Sequence, residues 1–236
     1  MCGRYYLKSP PADVAALFGV DVRDNFPPRY NIAPTQPIAV IRNDARGRRE
    51  YALVRWGFAP AWARKIEGRP LINARSETVA EKPTFRAAYR RRRCLIPADG
   101  FYEWTGVAGA GRARRAHCIR RAAAGGAPAG GLFAFAGVWE TVTDPDGGEI
   151  DTAAILTAAA GPDLKALHHR EPVYIAPARH ALWLDADERD IAQLAALTAP
   201  SRAGDWTHHE VSALVNSVRN DGPELIAPDG DLPLFS

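Results

Sequence analysis

Apolar and polar positions along this chain change rhythm repeatedly, and the changes mark its elements. PADVAALFG (Pro11–Gly19) has proline near its start, an i, i+3, i+4 face of Val14, Leu17 and Phe18, and a closing glycine, which predicts a short helix. NFPPRYNIAPTQ is proline-rich and aperiodic and reads as an ordered loop. PIAVIRN and REYALVRWGFAP read as strands, and NDARG between them supplies the turn of a hairpin. WARKIEGR reads as a loop or short turn, LINARSET as extended chain, and TFRAAYRRRRC as a helix feeding the strand CLIPADGFYEW. GVAGAGRARRA is a low-complexity segment expected at a flexible hairpin tip, and it leads to a short strand, HCIRRAA, and a second glycine/alanine tract, AAAGGAPAGG. LFAFAGVWETV and TAAILTAAA are alternating or continuously apolar and predict central strands. DLKALHHR predicts a helix of one to two turns, PVYIAP a strand, HALWLDADERDIAQLAALT a helix from about Asp187, and WTHHEVS a last strand before an ordered tail.

Short helices scattered among many strands, without a βαβαβ rhythm or a repeat, predict a single α+β domain on a strongly curved antiparallel sheet. At 236 residues, with 47% hydrophobic and 24% charged positions, the chain is of ordinary globular composition. No run approaches the roughly 18 apolar residues of a membrane span. The N-terminus has no apolar core of a signal peptide, so a cytoplasmic, membrane-free protein is expected.

Charge changes this picture more than composition does. The formal net charge of +3 hides a basic centre and an acidic end. Ten arginines lie between Arg86 and Arg121 against only Asp99 and Glu103, while ten acids face three arginines from His180 to Ser236. Arginine suits phosphate geometry, so the basic stretch is either a nucleic-acid footprint or simply solvated surface. WGFAPAW adds Trp56, Phe58 and Trp62 around a proline turn. Exposed aromatics beside arginines hold single-stranded nucleic acid by stacking; buried, the same residues are core.

The chemistry centres on the opening stretch, MCGRYY. Of three cysteines, Cys94 and Cys118 lie in apolar-rich strand patterns and read as buried thiols, whereas Cys2 lies at a terminus where chain is usually exposed. Removal of Met1 would leave an α-amine and a thiol on adjacent carbons. That amine, with a reference pKa near 8, is substantially neutral at physiological pH. The pair can condense with an aldehyde to an imine and then close to a thiazolidine. A terminal amine can also activate a thiol for acyl transfer, and a small residue at a frayed end is the plain alternative. Glu103, among the aromatics of FYEW and on the same strand face as Phe101, is a candidate proton carrier. Asn73 and Arg75 share one side of an extended segment. Asn31 could brace a loop near the terminus, and at most one of the adjacent His168 and His169 is expected to act as an acid or base. Candidate metal ligands are scattered, so no metal and no cofactor are expected. There is no phosphate loop, dinucleotide fingerprint, HExxH or serine-hydrolase elbow.

The ordered series MCGRYY, RYNIAPTQ, RWGFAPAW, LINARSET, RRCLIPADGFYEW, GVWET and LHHREPVYIAP resembles the SRAP family, the SOS-response-associated peptidases or abasic-site processing proteins. The resemblance runs from Met1 past Asn220 in VSALVNSVRNDGPELI. It implies one domain over residues 1–236, with a core of about 2–227 and a basic insert at about 105–116. The β core would be barrel-like, the surrounding helices short, and a positive cleft would end at the N-terminal cysteine. It further implies that Met1 is removed and that Cys2 links covalently to the ring-opened aldehyde of an abasic site in single-stranded DNA. The thiazolidine formed would shield the lesion. By the same resemblance Glu103 shuttles protons, Asn73 orients the opened sugar, and His168 assists sugar opening and crosslink reversal. Arg4, Asn31, Trp56, Phe58, Trp62, Arg75, Arg86 and Arg170 are then the expected DNA-binding residues. The expected partner is abasic single-stranded DNA, including single-strand/double-strand junctions, bound by a monomer. His169 departs from the family pattern, which commonly has aspartate after the histidine, and the GVAGAGRARRA insert has no clear counterpart. A thiol peptidase acting in trans and a non-covalent single-strand binder remain the rivals, and weak strand cleavage by β-elimination is compatible with imine chemistry.

Overall fold

In the computed structural model five strands close on themselves. The structure describes residues 2–22, 26–63, 68–106, 114–123, 130–143, 147–188 and 190–230. Its elements are β1 (Tyr5–Leu7), α1 (Pro11–Phe18), β2 (Arg29–Ile32), β3 (Pro37–Asn43), β4 (Arg49–Trp56), β5 (Asn73–Arg75), α2 (Arg86–Arg91), β6 (Arg93–Ala98), β7 (Gly100–Thr105), β8 (Arg115–Arg121), β9 (Phe133–Thr143), β10 (Glu149–Ala159), β11 (Arg170–Pro172), α3 (His180–Leu184), α4 (Ile191–Ala196) and β12 (Trp206–Val211). The ring runs β3–β4–β10–β9–β6 and back to β3. Every join is antiparallel except the short parallel one between β4 and β10. Outside the ring, β5 adds to β10 in parallel and β11 adds to it antiparallel. A second, antiparallel sheet has the order β12-β8-β7-β1-β2. The architecture is thus α+β, a barrel-like β core with short peripheral helices.

Local chemistry explains most of these elements. α1 begins with Pro11 and ends at Gly19, whose φ of 64° makes the left-handed cap that a β-carbon would disfavour. In the β3–β4 hairpin the Asp44 carboxylate accepts from the Arg46 and Arg48 backbone N–H groups. The expected single strand CLIPADGFYEW is two strands, because Asp99 breaks it. Its carboxylate accepts from Lys8 N, Ser9 N and Ser9 Oγ at 2.7–2.8 Å, so β6 stays in the barrel while β7 crosses to the second sheet. NFPPRYNIAPTQ, expected as loop, contributes β2, since Tyr5 and Leu7 pair with Ile32 and Arg29. DLKALHHR forms consecutive turns rather than a helix, closed by bonds such as His168 N to Leu164 O. The helix expected from Asp187 is two helices: α3 starts earlier, at His180, and α4 later, at Ile191, where the Asp190 side chain caps the first turn. PVYIAP contributes only its start to β11, followed by a single bridge from Tyr174 to Phe135. Most of the GVAGAGRARRA insert and of AAAGGAPAGG, and part of WARKIEGR, lie outside the described residues.

The core fills the space between ring and sheet. Tyr5 meets Trp56 and Phe135 edge to face, with centroids 5.4 and 6.1 Å apart, and Phe101 meets Phe135 and Trp206 in the same way. On the other face of the second sheet Tyr6, Tyr102 and Cys118 pack with Val215 and Leu225. The N-terminal strand is therefore buried on both faces and paired on both edges. Cys94 and Cys118 are buried free thiols.

His180 makes one consequence measurable. It stacks on Phe18 at 5.2 Å and faces the Ile175 carbonyl, and burial holds its pKa below the ordinary 6.5. Below that pH the unfolded chain takes a proton that the folded one resists, so the contribution is whole above about 6.5 and is lost as pH falls. Urea denaturation at pH 7 and pH 5 should show the wild type losing more stability than His180→Gln, with a difference in slope of at most about 1.4 kcal/mol per pH unit.

Candidate active site at the N-terminus

Cys2 is not exposed. It has no accessible surface and belongs to the main core cluster, a correction to the expectation of a free terminus. The cause is β1: Tyr5 and Tyr6 pair with Phe101 and Gly100 of β7, and the Tyr102 N–H continues the pairing to the Arg4 carbonyl at 3.0 Å. The chain is held almost to its second residue. Burial, and then the charge of Glu103, push the Cys2 thiol far above its ordinary range, so it is held as S–H rather than thiolate.

Three further side chains converge here from different parts of the fold. Asn73 sits on β5, whose parallel pairing places it opposite Ile155. Its Nδ2 donates to the Cys2 carbonyl at 2.9 Å, and its Oδ1 is buried without a hydrogen-bond partner. Glu103 is 6% exposed on the inner face of β7, which it shares with Phe101. Its charge acts on both Cys2 and His168. His168 ends the turns before β11, and the Arg170 N–H donates to its Nδ1 at 2.9 Å. In that arrangement the neutral ring carries its proton on Nε2. Burial lowers the His168 pKa, with Glu103 working in the opposite direction. The structure thus gathers Cys2, Asn73, Glu103 and His168, which the sequence separates widely.

The expected DNA contacts divide. Arg75 and Arg86 are exposed, and Trp62 is 70% exposed. Trp56 and Phe58 are corrected: at 0% and 3% exposure both are core, Trp56 donating from Nε1 to the Ile72 carbonyl and Phe58 packing on Phe85, so neither presents a face to a base. Arg170 is also corrected. Its guanidinium is bidentate to Glu77, at 2.5 and 2.9 Å, and reaches Thr157, so it ties β11 to the loop after β5 instead of offering a free fork to phosphate.

Asn31 is corrected as a DNA contact and meets the other expectation, a brace near the terminus. Fully buried, it donates from Nδ2 to the carbonyls of Val215, Ser217 and Asn220 and accepts the Arg4 guanidinium on Oδ1 at 2.7 Å. It braces the terminus and touches no solvent. Arg4 is half-buried by the same bonds, with a second one to the Val215 carbonyl, and its guanidinium carbon lies 5.8 Å from the Trp104 ring centroid. Asp221 completes this strap by accepting from the backbone N–H groups of Tyr30 and Asn31 and from Arg29. Sequence reasoning missed Asp221 and Glu77. RNDGPELI was visible as a motif, but nothing in it indicates contact with a strand so distant in sequence. Asn31→Ala should lower the unfolding free energy by about 2–4 kcal/mol, because it removes a fully buried amide's bonds to three carbonyls and to the Arg4 guanidinium; urea denaturation reads this directly.

Among the described residues, no group of three or more His, Cys, Asp or Glu side chains is placed to hold a metal ion. No helix among them is long and apolar enough to cross a membrane.

A closed five-strand ring joined to a second sheet, with side chains converging on the second residue, defines a class of α+β proteins organised around a near-terminal cysteine. This chain belongs to the SOS response associated peptidase (SRAP) family, whose model matches residues 1–218. It is 36% identical over 230 residues to the abasic site processing protein YoqW of Bacillus subtilis (strain 168), covering 96% of this chain and 99% of that one. It is 31% identical over 237 residues to the abasic site processing protein YedK of Escherichia coli (strain K12), covering 97% and 100%. Among solved structures, a Bordetella bronchiseptica protein superposes with a TM-score of 0.74 at 26% identity, over 89% of this chain and 100% of that one. A Bacteroides thetaiotaomicron protein superposes with a TM-score of 0.79 at 20% identity, over 96% and 99%, a likeness of fold.

Proposed function

We propose that this protein captures abasic sites in single-stranded DNA, including those at single-strand/double-strand junctions, by bonding them covalently to Cys2 after Met1 is removed. The observation that carries this reading is the meeting of Cys2 with Asn73, Glu103 and His168. The names of its relatives, abasic site processing proteins, agree with it.

The chemistry follows from the groups present. Hydrolysis of the Met1–Cys2 peptide bond frees an α-amine with a reference pKa near 8. The amine adds to the aldehyde carbon of the ring-opened sugar, and loss of water leaves an imine. The sulfur then adds to the imine carbon while its proton passes to the imine nitrogen, closing a five-membered thiazolidine. One aldehyde and one aminothiol give one thiazolidine and one water. The thiol is held protonated by burial and by Glu103, so the amine acts first and sulfur second. Glu103 is the carrier that takes the proton from the attacking amine and delivers it to the departing hydroxyl. The unpartnered Oδ1 of Asn73 is the acceptor for a sugar hydroxyl, while its amide fixes the Cys2 carbonyl. His168, with its proton on Nε2, serves sugar opening and crosslink reversal. Arg75 and Arg86 contact phosphate, and Trp62 stacks on an unpaired base.

The test is incubation of Met1-free protein with single-stranded oligonucleotides with and without an abasic site, followed by denaturing electrophoresis after heating. A heat-stable shifted species only with the abasic strand is expected. Its absence would overturn the proposal, and turnover of added peptides without it would favour a peptidase acting in trans.

A further inference from the structure

His168 has a neighbour whose chemistry is its own. The His169 ring lies against it, with centroids 4.2 Å apart and planes inclined by 29°. The His168 ring and the His169 main chain are both fixed by backbone: the Arg170 N–H bonds His168 Nδ1, and the Ala160 N–H bonds the His169 carbonyl at 3.0 Å. Their environments differ. His168 is half-buried and turned toward the Cys2 site, whereas His169 is exposed.

We infer that His169 is a positioning residue that sets the pH range over which His168 works, by stacking a second imidazole upon it. The inference rests on the proposal that His168 handles protons at the sugar. Two imidazoles face to face cannot both be charged without mutual repulsion. A charge on the exposed His169 ring opposes a proton on the half-buried His168 ring beneath it. Other groups act on His168 as well. Burial is the largest influence and opposes protonation; Glu103 on β7 favours it. The charge of the chain's amino terminus opposes it, and the Arg170 carbonyl favours it by accepting a hydrogen bond from Nδ1–H of the protonated ring. His169 opposes it. The Arg170 guanidinium is occupied by Glu77. His169 extends the neutral, Nε2–H form of His168 to lower pH. An aspartate at this position would do the reverse.

The experiment is a proton NMR titration of the histidine Cε1–H signals in the full chain, for wild type, His169→Gln and His169→Asp, with His168→Gln to assign the resonance. The His168 midpoint should rise in His169→Gln and rise further in His169→Asp. A loss of packing alone would give no such order. A His168 midpoint in His169→Gln at or below that of wild type overturns the inference. This titration needs no DNA, so it is read even if no crosslink forms, a result that would instead sink the proposed function. As a second readout, the ratio of single-turnover crosslinking rates at pH 6 and pH 7.5 should fall about tenfold in His169→Asp relative to wild type, one pKa unit being a factor of ten in protonation. An unchanged ratio contradicts the inference.

Discussion

Replacing Cys2 with alanine should abolish the heat-stable DNA adduct while leaving DNA binding intact. The substitution is selective, because a Met1-free Cys2→Ala chain still begins with an α-amine of ordinary basicity. Such a chain can form the imine but has no sulfur to close the ring, and an imine hydrolyses when heated. Sodium borohydride reduces an imine to a stable amine, so the variant should give a band only when borohydride is present. The wild type should give one with or without it. A Cys2→Ala chain that still made a heat-stable adduct without reductant would exclude the thiol from the linkage. Because Asn73 holds the backbone carbonyl of residue 2, not its side chain, the variant keeps the hydrogen bond that fixes the terminus.

Glu103→Gln should slow crosslinking by about a hundredfold or more, the range of a positioned proton carrier. The buried setting of Glu103 makes this variant discriminating. The carboxylate also raises the Cys2 thiol through its charge. If Glu103 acted only through its field, glutamine would make the thiol more acidic and the reaction faster. A proton carrier predicts the opposite sign. Single-turnover time courses at saturating abasic oligonucleotide separate the two, and a rate equal to or above wild type would remove Glu103 from its proposed role.

The sequence pattern reveals elements better than their destinations. The β3–β4 hairpin, the long β9 and β10, and α1 with its proline start and glycine cap are readable because each is specified by neighbours along the chain. The break at Asp99 is not, since its carboxylate is satisfied by Lys8 and Ser9. Nor is β2, which depends on pairing with β1. The same division runs through the candidate site. The residue types at Cys2, Asn73, Glu103 and His168 carry their chemistry in the sequence, and so does their order when set beside a family. Exposure does not. Cys2 is buried because β1 is captured on both edges, and Trp56 is core because Tyr5 packs against it. Arg170 looks like a ligand-facing residue until Glu77 occupies it, and Asn31 reads equally as a brace or a DNA contact until the Val215–Asp221 strap decides for the brace. These partnerships join distant segments, and no local rhythm encodes them.

The central claim concerns one pair of groups, the amine and thiol of residue 2. Intact mass spectrometry of the purified adduct, before and after borohydride, tests it most directly. The predicted mass is that of the chain lacking Met1 plus the abasic oligonucleotide minus one water, unchanged by borohydride because a thiazolidine has no imine to reduce. An adduct that retains Met1, or one that gains two hydrogens on reduction, would contradict it.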